Sequence, residues 1–409
     1  MQHCMPIRAI SKNRLPLGLS LRLLWAEFWF GASQRGRWRR IARADTPVAP
    51  IEEMLMRWAG GSIWRGGPQV EAGKPCAALD HFRGSEAVGD PTHNRNWAHW
   101  PRRQERLFWC GPLCDHFGHQ LGEFGGRVLL SSLDRQAGWL LFLHPNPAAS
   151  WDSLKPWQRD WIEYLNPTGK PVLISGGGFK ASRLVAIPQQ QRLGALPTQR
   201  HLAALGQRSR VLDGPEIEPV VVLSRSRHAP AESQAGLRGS FAGEAAFDAR
   251  MAACGARIVY PETLSLRKLL ELLHRAQRLV VAEGSVLHAL ELLGYEPNKQ
   301  VVVLARRPLW PGLERPLRCR FPQLRWIDAV EELLWHEPSN PRVKGLARLN
   351  WSQALQELDA ALGWSSRPRD AMALDRASQE QLNKLHQGVE LKRLHCGPEQ
   401  RIPLSSGGW

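Results

Sequence analysis

The chain predicts an α/β fold: two Rossmann-like domains behind an irregular, basic N-terminal extension. Three observations predict it. Short runs rich in Val, Ile and Leu alternate with amphipathic stretches from residue 219 to 306. A shorter series of the same kind lies between 139 and 189. The 409 residues, 43% of them hydrophobic, suffice for one large domain or two ordinary ones.

The N-terminus reads MQHCMPIRAISKNR, then LPLGLSLRLLWAEFWF. It loosely mimics a signal peptide, but Arg22 and Glu27 interrupt the apolar run and no small-residue cleavage site follows. A spanning helix needs about 18 uncharged apolar residues, and no such run occurs. Trp25, Phe28, Trp29 and Phe30, followed by Arg35, Arg37, Arg39 and Arg40, fit a helix lying on an anionic membrane. An ordinary capping helix fits the same pattern. Residues 31–108 are rich in Gly, Arg, Trp and Pro with little periodicity, so an irregular extension over 1–108 is expected.

From residue 110 the pattern changes. A helix is expected over 116–131, a buried strand at WLLFLHPN (139–146), a helix at KPWQRDWIEYL (155–165), and strands at PVLIS (171–175) and RLVAIPQ (183–189). Residues 190–217, with Pro197, Gly206, Gly214 and Pro215, read as a linker. PVVVLSR (219–225) is the continuous β-branched run of a strand covered on both faces. Then come a helix at 241–254, a strand at 256–262, and a helix at 265–277 with Leu266, Leu269, Leu270 and Leu273 on one face and Ser265 as its cap. A strand at 278–284, a helix at 285–294 and a strand at 299–306 complete the alternation. LRWIDAVEELLW (324–335) ends the unit, and SQALQELDAALGW (352–364) is one more amphipathic helix. Residues 365–409 read as polar and loosely ordered. The expected units are thus 1–108, 109–200, 201–340 and 341–409.

The formal net charge is +16. It implies attraction to polyanions such as anionic lipid, nucleic acid or nucleotide phosphates. The Arg excess is spread along the chain without a nucleic-acid motif, so a nucleic-acid-binding protein is an alternative suggested by charge alone. Seven scattered Cys with no CxxC fit a reduced, cytoplasmic compartment.

Ligands of open α/β sheets bind beyond the carboxyl ends of the strands. Those ends here read SRSR (224–227), PE (261–262) and EGS (283–285). Arg225 and Arg227 can pair with phosphate oxygens. Gly284 permits a tight turn, and Ser285 at an expected helix start suits an anion. SGGGFKAS (175–182) lacks phosphate-loop spacing, and there is no GxGxxG after a strand, no GxSxG, no HExxH and no DxD-type acidic pair at a strand end.

WCGPLCDHFGHQLGEFGGR (109–127) is the densest cluster of reactive side chains. Cys110, Cys114, His116 and His119 admit a zinc reading, although C-x3-C-x-H-x2-H is not a common structural zinc spacing. The other reading is a helix, capped by Asp115, that aims His119, Glu123 and Arg127 from one face into a cleft. Gly118, Gly122, Gly125 and Gly126 keep such a helix thin, so that backbone or substrate can approach.

LSRSR, Glu244 and RIVYPETLSLRKLLELLHRAQRLVVAEGSVLHAL resemble the signature half of glycosyltransferase family 61. The matches are Ser224 and Arg225, Glu244, Pro261 and Glu262, Leu264 and Ser265, Ala276, Gly284, Ser285 and Leu287. His119, Glu123 and Arg127 fall on the family's His, Glu and Arg, and RLVAIPQ resembles the strand before its linker. The resemblance covers roughly residues 110–310. His116 stands where the family often has Asn, Gln120 replaces an aromatic, Gly125 and Gly126 replace an apolar-Pro pair, and Glu283 sits where many members have His.

The resemblance implies a fold of the GT-B type, with the acceptor side in 109–200 and the nucleotide-sugar side in 201–340. It implies inverting, metal-independent transfer from a nucleotide sugar, usually of UDP, to a glycan acceptor, as in bacterial capsule and surface polysaccharide biosynthesis. No resident cofactor or nucleic acid is expected, and the place of work would be the cytoplasm, with possible peripheral contact at the inner membrane face. Ser224, Arg225, Arg227, Glu283, Gly284, Ser285 and His288 would serve the donor, and Arg127, Glu244 and Glu262 would support the site. An inverting transfer needs one general base, either His119 or Glu123.

Overall fold

The computed structural model describes residues 40–41, 46–54, 64–68, 79, 81–83, 86–87, 89–90, 98–214, 217–227, 239–307, 311–336, 345–387 and 390–396. The chain divides into two units, 1–39 and 40–409. The membrane-surface or capping helix expected around Trp25–Phe30 lies outside the described residues.

The second unit is a mixed α/β structure with two principal sheets. The first contains β1 (Arg40–Ile41), β2 (Thr46–Met54), β3 (Trp64–Pro68), β6 (Gly89–Asp90), β7 (Arg102–Pro112), β8 (Trp139–Leu143), β9 (Val172–Ser175) and β10 (Phe179–Ala186). Its main path runs β6-β3-β2-β10-β7-β8-β9, and β1 pairs with β10. The segment β10-β7-β8-β9 is parallel, whereas β1 and β2 run antiparallel to β10. The first sheet is therefore mixed, and its strands from residues 40–68 correct the expectation of an irregular stretch. A short hairpin, β4 (Phe82–Arg83) with β5 (Glu86–Ala87), stands apart.

The second sheet holds β11 (Glu218–Leu223), β12 (Arg257–Val259), β13 (Ala276–Ala282), β14 (Gln300–Leu304) and β15 (Gln323–Ile327). All neighbours are parallel in the order β12-β11-β13-β14-β15. Val220–Leu223, Leu279–Ala282 and Val301–Leu304 are buried, as their β-branched runs predict. Residues 324–335 resolve into β15 and β16 (Val330–Trp335), which pairs with β17 (Leu346–Leu349) and β18 (Lys392–His395).

Each principal sheet reverses its winding once. From β11 the chain goes out to β12, then crosses to β13 on the other side; from β7 it goes to β8 and β9, then returns to β10 on the far side of β7. The crevices between β11 and β13, and between β7 and β10, are the switch points where sheets of this kind bind ligands.

The helices correct several boundaries. The expected helix over 116–131 is broken into α1 (Phe117–His119), a π-helical turn (Gln120–Phe124) and α2 (Val128–Ser132). Its cap is His116, whose Nδ1 accepts from His119 N–H at 3.3 Å, rather than Asp115, which is exposed and faces Lys155. α3 (Pro156–Leu165) matches its pattern. The linker expected over 190–217 contains α4 (Gln199–Ser209), capped by Thr198. α5 (Glu244–Ala253) and α6 (Leu266–Arg275) follow, with Ser265 Oγ capping α6 as expected. α7 covers only Leu287–Leu290, because turns replace the remainder of 285–294. After α8 (Pro311–Arg318) and α9 (Trp351–Leu362), the stretch expected to be loose carries the long α10 (Pro368–His386). Leu374, Ser378, Leu382 and Leu385 bury one face of it.

One apolar cluster joins the two sheets. Phe108, Leu140 and Phe142 of the first sheet share it with Trp161 of α3, Leu205 of α4, Leu270 and Leu273 of α6, and Val281 and Val303 of the second sheet. It holds the carboxyl ends of the two sheets in a fixed relation. Among the described residues no helix is long and apolar enough to cross a membrane.

Candidate active site

The π turn that follows β7 presents its side chains beside the first switch point. His119 Nδ1 lies 2.8 Å from Glu123 Oε2. Glu123 is fully buried and also receives Arg83, with Nε at 2.6 Å from Oε1 and Nη2 at 3.1 Å from Oε2. His81 Nε2 stands 3.5 Å from Oε1. Burial alone would raise the Glu123 carboxyl, but hydrogen bonds from His119 and His81, and then Arg83, outweigh it and hold the group well below the usual carboxylate range. Glu123 thus favours its anionic form and holds His119 through Nδ1. Both expected bases lie together here, His119 turning Nδ1 to Glu123 and Nε2 to the opposite side of the ring. Burial lowers His81 to about 4, so it faces Glu123 as a neutral ring.

Arg127 also braces the turn. It is buried, and its Nε donates to the Ile187 carbonyl at 3.0 Å, tying the turn to the end of β10. The two cysteines part from the histidines. Cys110 packs in the cluster between the sheets, and Cys114 in the separate cluster around Trp109 and Phe124. Burial pushes both thiols up to about 12. Among the described residues no group of three or more His, Cys, Asp or Glu is arranged to hold a metal ion. The zinc reading of Cys110, Cys114, His116 and His119 therefore lacks its convergence.

Opposite lies the switch point of the second sheet. The Arg225 guanidinium crosses from the end of β11 to Gly284 after β13, where a Cβ would fall 2.5 Å from Nη1. A side chain at this position would push the guanidinium aside. The Arg225 backbone N–H donates to Glu244 Oε1 at 2.6 Å. Burial pushes Glu244 up to about 7, against that hydrogen bond. Ser224 does not face the crevice: it is buried, with Oγ 2.6 Å from Asp248 Oδ2. Arg227 is exposed and stacks over Tyr260 at 4.0 Å, while Glu262 is exposed in the 3-10 turn Pro261–Thr263.

Glu283 is the main revision. Expected at the donor, it is fully buried and accepts from Arg306 N–H at 3.2 Å and Arg307 Nε at 2.6 Å. It serves as the anchor of two arginines that no sequence motif marks. Arg306 Nε in turn donates to the Glu283 carbonyl at 3.1 Å. Arg225, Arg306 and Arg307 gather around Glu283, and the charges of Glu244 and Glu262 also reach Arg225. The helix dipole expected at Ser285 is weak, because α7 is a single short turn of helix.

The two switch points meet through glycine. A Cβ on Gly118 would fall 2.8 Å from His288 Cδ2 and 3.1 Å from Ser285 Cβ, and one on Gly122 would overlap the His288 ring. His288 and Ser285 of the second half therefore rest on the helix that carries His119. The His116 and His119 rings meet edge to face, 4.6 Å apart. Burial first, then the charges of His119 and His288, lowers His116 to about 4. Of the expected residues, the fold gathers His119, Glu123, Arg225, Gly284, Ser285 and His288; Arg127, Ser224 and Glu283 support them from behind.

No family model matches the chain, and no curated protein matches it.

Proposed function

We propose that the protein transfers a sugar, with inversion, from a nucleoside diphosphate donor (a UDP-sugar by the resemblance to glycosyltransferase family 61) to a hydroxyl of a glycan acceptor. One observation carries the reading: an oriented histidine and an arginine-rich crevice face each other at the switch points of two sheets. In this reading the mixed sheet is the acceptor half and the parallel sheet the donor half of a GT-B-type pair. The work belongs to polysaccharide synthesis on the cytoplasmic face of a membrane, where the basic surface would favour peripheral contact.

His119 takes the acceptor proton at Nε2 while Glu123 stabilises the imidazolium that forms. Arg225, placed by Gly284, meets the charge that develops on the departing diphosphate, and Arg306 and Arg307 add to the field. Ser285 lines the same crevice.

A thermal-shift panel of nucleotide sugars tests the donor site without knowledge of the acceptor. UDP-sugars are expected to raise Tm, and Arg225→Ala to abolish the shift. His119→Gln is expected to keep the shift and lower transfer about 10²- to 10⁴-fold. Failure of every nucleotide sugar to bind would end the reading.

A further inference from the structure

The geometry points to His288 as a second proton-carrying residue of this site, acting on the departing diphosphate while His119 acts on the acceptor. The inference rests on the transferase reading above and assigns His288 a definite chemical role. It starts from a symmetry of construction. His288 Nδ1 lies 2.6 Å from Glu291 Oε1, so this ring too is oriented by a carboxylate on its own segment. Glu291 Oε2 accepts from Gln191 Nε2 at 2.5 Å, and Gln191 Oε1 accepts from Arg320 at 2.5 Å. Arg320 is fully buried, and its Nη2 also donates to the Glu291 carbonyl at 2.9 Å. Gln191 reaches the carbonyl of Gly122 at 3.4 Å, which ties this network to the turn that carries Glu123. A histidine that only filled space over Gly118 and Gly122 would need none of these partners.

The two carboxylates are neutralised differently, and this separates the roles. Glu123 carries the Arg83 guanidinium on its oxygens. Among the described residues, Glu291 accepts at its oxygens only from His288 and the neutral amide of Gln191. Arg320 adds its charge from behind, through the carbonyl. A carboxylate without a bonded guanidinium stabilises an imidazolium better than one with it. From the opposing turn the charge of His288 reaches His116, which also feels His119 and Glu123, and Arg225 lies against Gly284.

In the transfer step the acceptor oxygen bonds to the anomeric carbon and its proton passes to His119 Nε2. The bond from that carbon to the diphosphate oxygen breaks, and the electron pair stays on the oxygen. The proton on His288 Nε2 moves to that oxygen. The nucleoside diphosphate departs protonated, His288 is left neutral and His119 cationic, and exchange with water restores both.

Calorimetry of the full chain with UDP, in two buffers of different ionisation enthalpy near pH ~6.5, reads protons taken up on binding. The wild type is expected to take up a proton. His288→Gln is expected to lose this uptake, Glu291→Gln to reduce it, Glu291→Asp to restore part of it, and His119→Gln to keep it. Unchanged uptake in His288→Gln would overturn the proposal. If UDP does not bind the wild type at all, the transferase reading fails, and imidazole NMR of the unliganded chain decides the dyad. The His288 ring signals are then followed across pH, and are expected to respond to His119→Gln and to Glu291→Gln. A His288 ring that stays neutral throughout overturns the inference by itself.

Discussion

The two histidine–glutamate pairs at the junction of the sheets use the same two side chains and differ in what stands behind the carboxylate. Behind Glu123 are a guanidinium and a neutral imidazole, Arg83 and His81. Behind Glu291 are an amide and a backbone-bound arginine, Gln191 and Arg320. The histidine alone does not determine whether it gives or takes a proton. The charge on the far side of its carboxylate does, because that charge decides how strongly the carboxylate holds an imidazolium.

The comparison is broken most severely at Arg83. Arg83→Met leaves the fully buried Glu123 carboxylate without its guanidinium, and is expected to cost about 3 kcal/mol of stability in chemical denaturation. The sign with pH follows from the depressed Glu123. Its contribution is present above the ordinary carboxylate range and is lost as pH falls through the folded-state value. The stability gap between wild type and Arg83→Met should therefore narrow in acid; a gap that widens would refute the ion-pair account.

Gly122→Ala tests the contact between the pairs. Its Cβ would overlap His288, so the ring must move off the helix. A displacement of about 1 Å is expected to lower kcat about 10²-fold. Gln191→Leu sharpens the comparison with the smallest effect, a loss of about 1 kcal/mol of stability from the broken hydrogen bonds. By removing a donor from Glu291, it should strengthen the hold on the imidazolium and move the alkaline limb of the pH–rate profile upward.

Glu244 behaves in the opposite sense to Glu123. Its folded value, about 7, lies above that of an ordinary glutamate. Folding therefore favours its protonated form, and stability declines as pH rises from the ordinary glutamate value to about 7. Glu244→Gln should flatten that decline in thermal melts taken across the range.

How far each element can be read from the sequence depends on where it finds its partners. The strands β11, β13 and β14 are legible because most of each is buried on both faces and carries its own β-branched run. β2 is not, because one of its two ladders is formed with β10, more than a hundred residues away, and its segment is broken by Pro and Glu. α10 hides behind its polarity: a single narrow stripe, Leu374 to Leu385, is all that it buries. The candidate site follows the same division. His119 and Glu123 announce themselves by spacing, and Arg225 and Gly284 by their place at strand ends. His81, Arg83, Gln191 and Arg320 have no local pattern: the first three meet their carboxylates, and Arg320 meets Gln191 and the Glu291 carbonyl, only through tertiary packing.

The π-helical turn from Gln120 to Phe124 has a consequence for how this protein can change over time. Such a turn holds one residue more than the α-helical turn it replaces. Removing any one of its five residues would let the backbone relax into a regular helix and rotate everything upstream by about 100° relative to α2. Where a residue other than Glu123 is lost, every member of the His119 pair would survive, yet the pair would no longer face its partners. Point substitutions would erode the site gradually, whereas a single-codon deletion would disconnect it in one event.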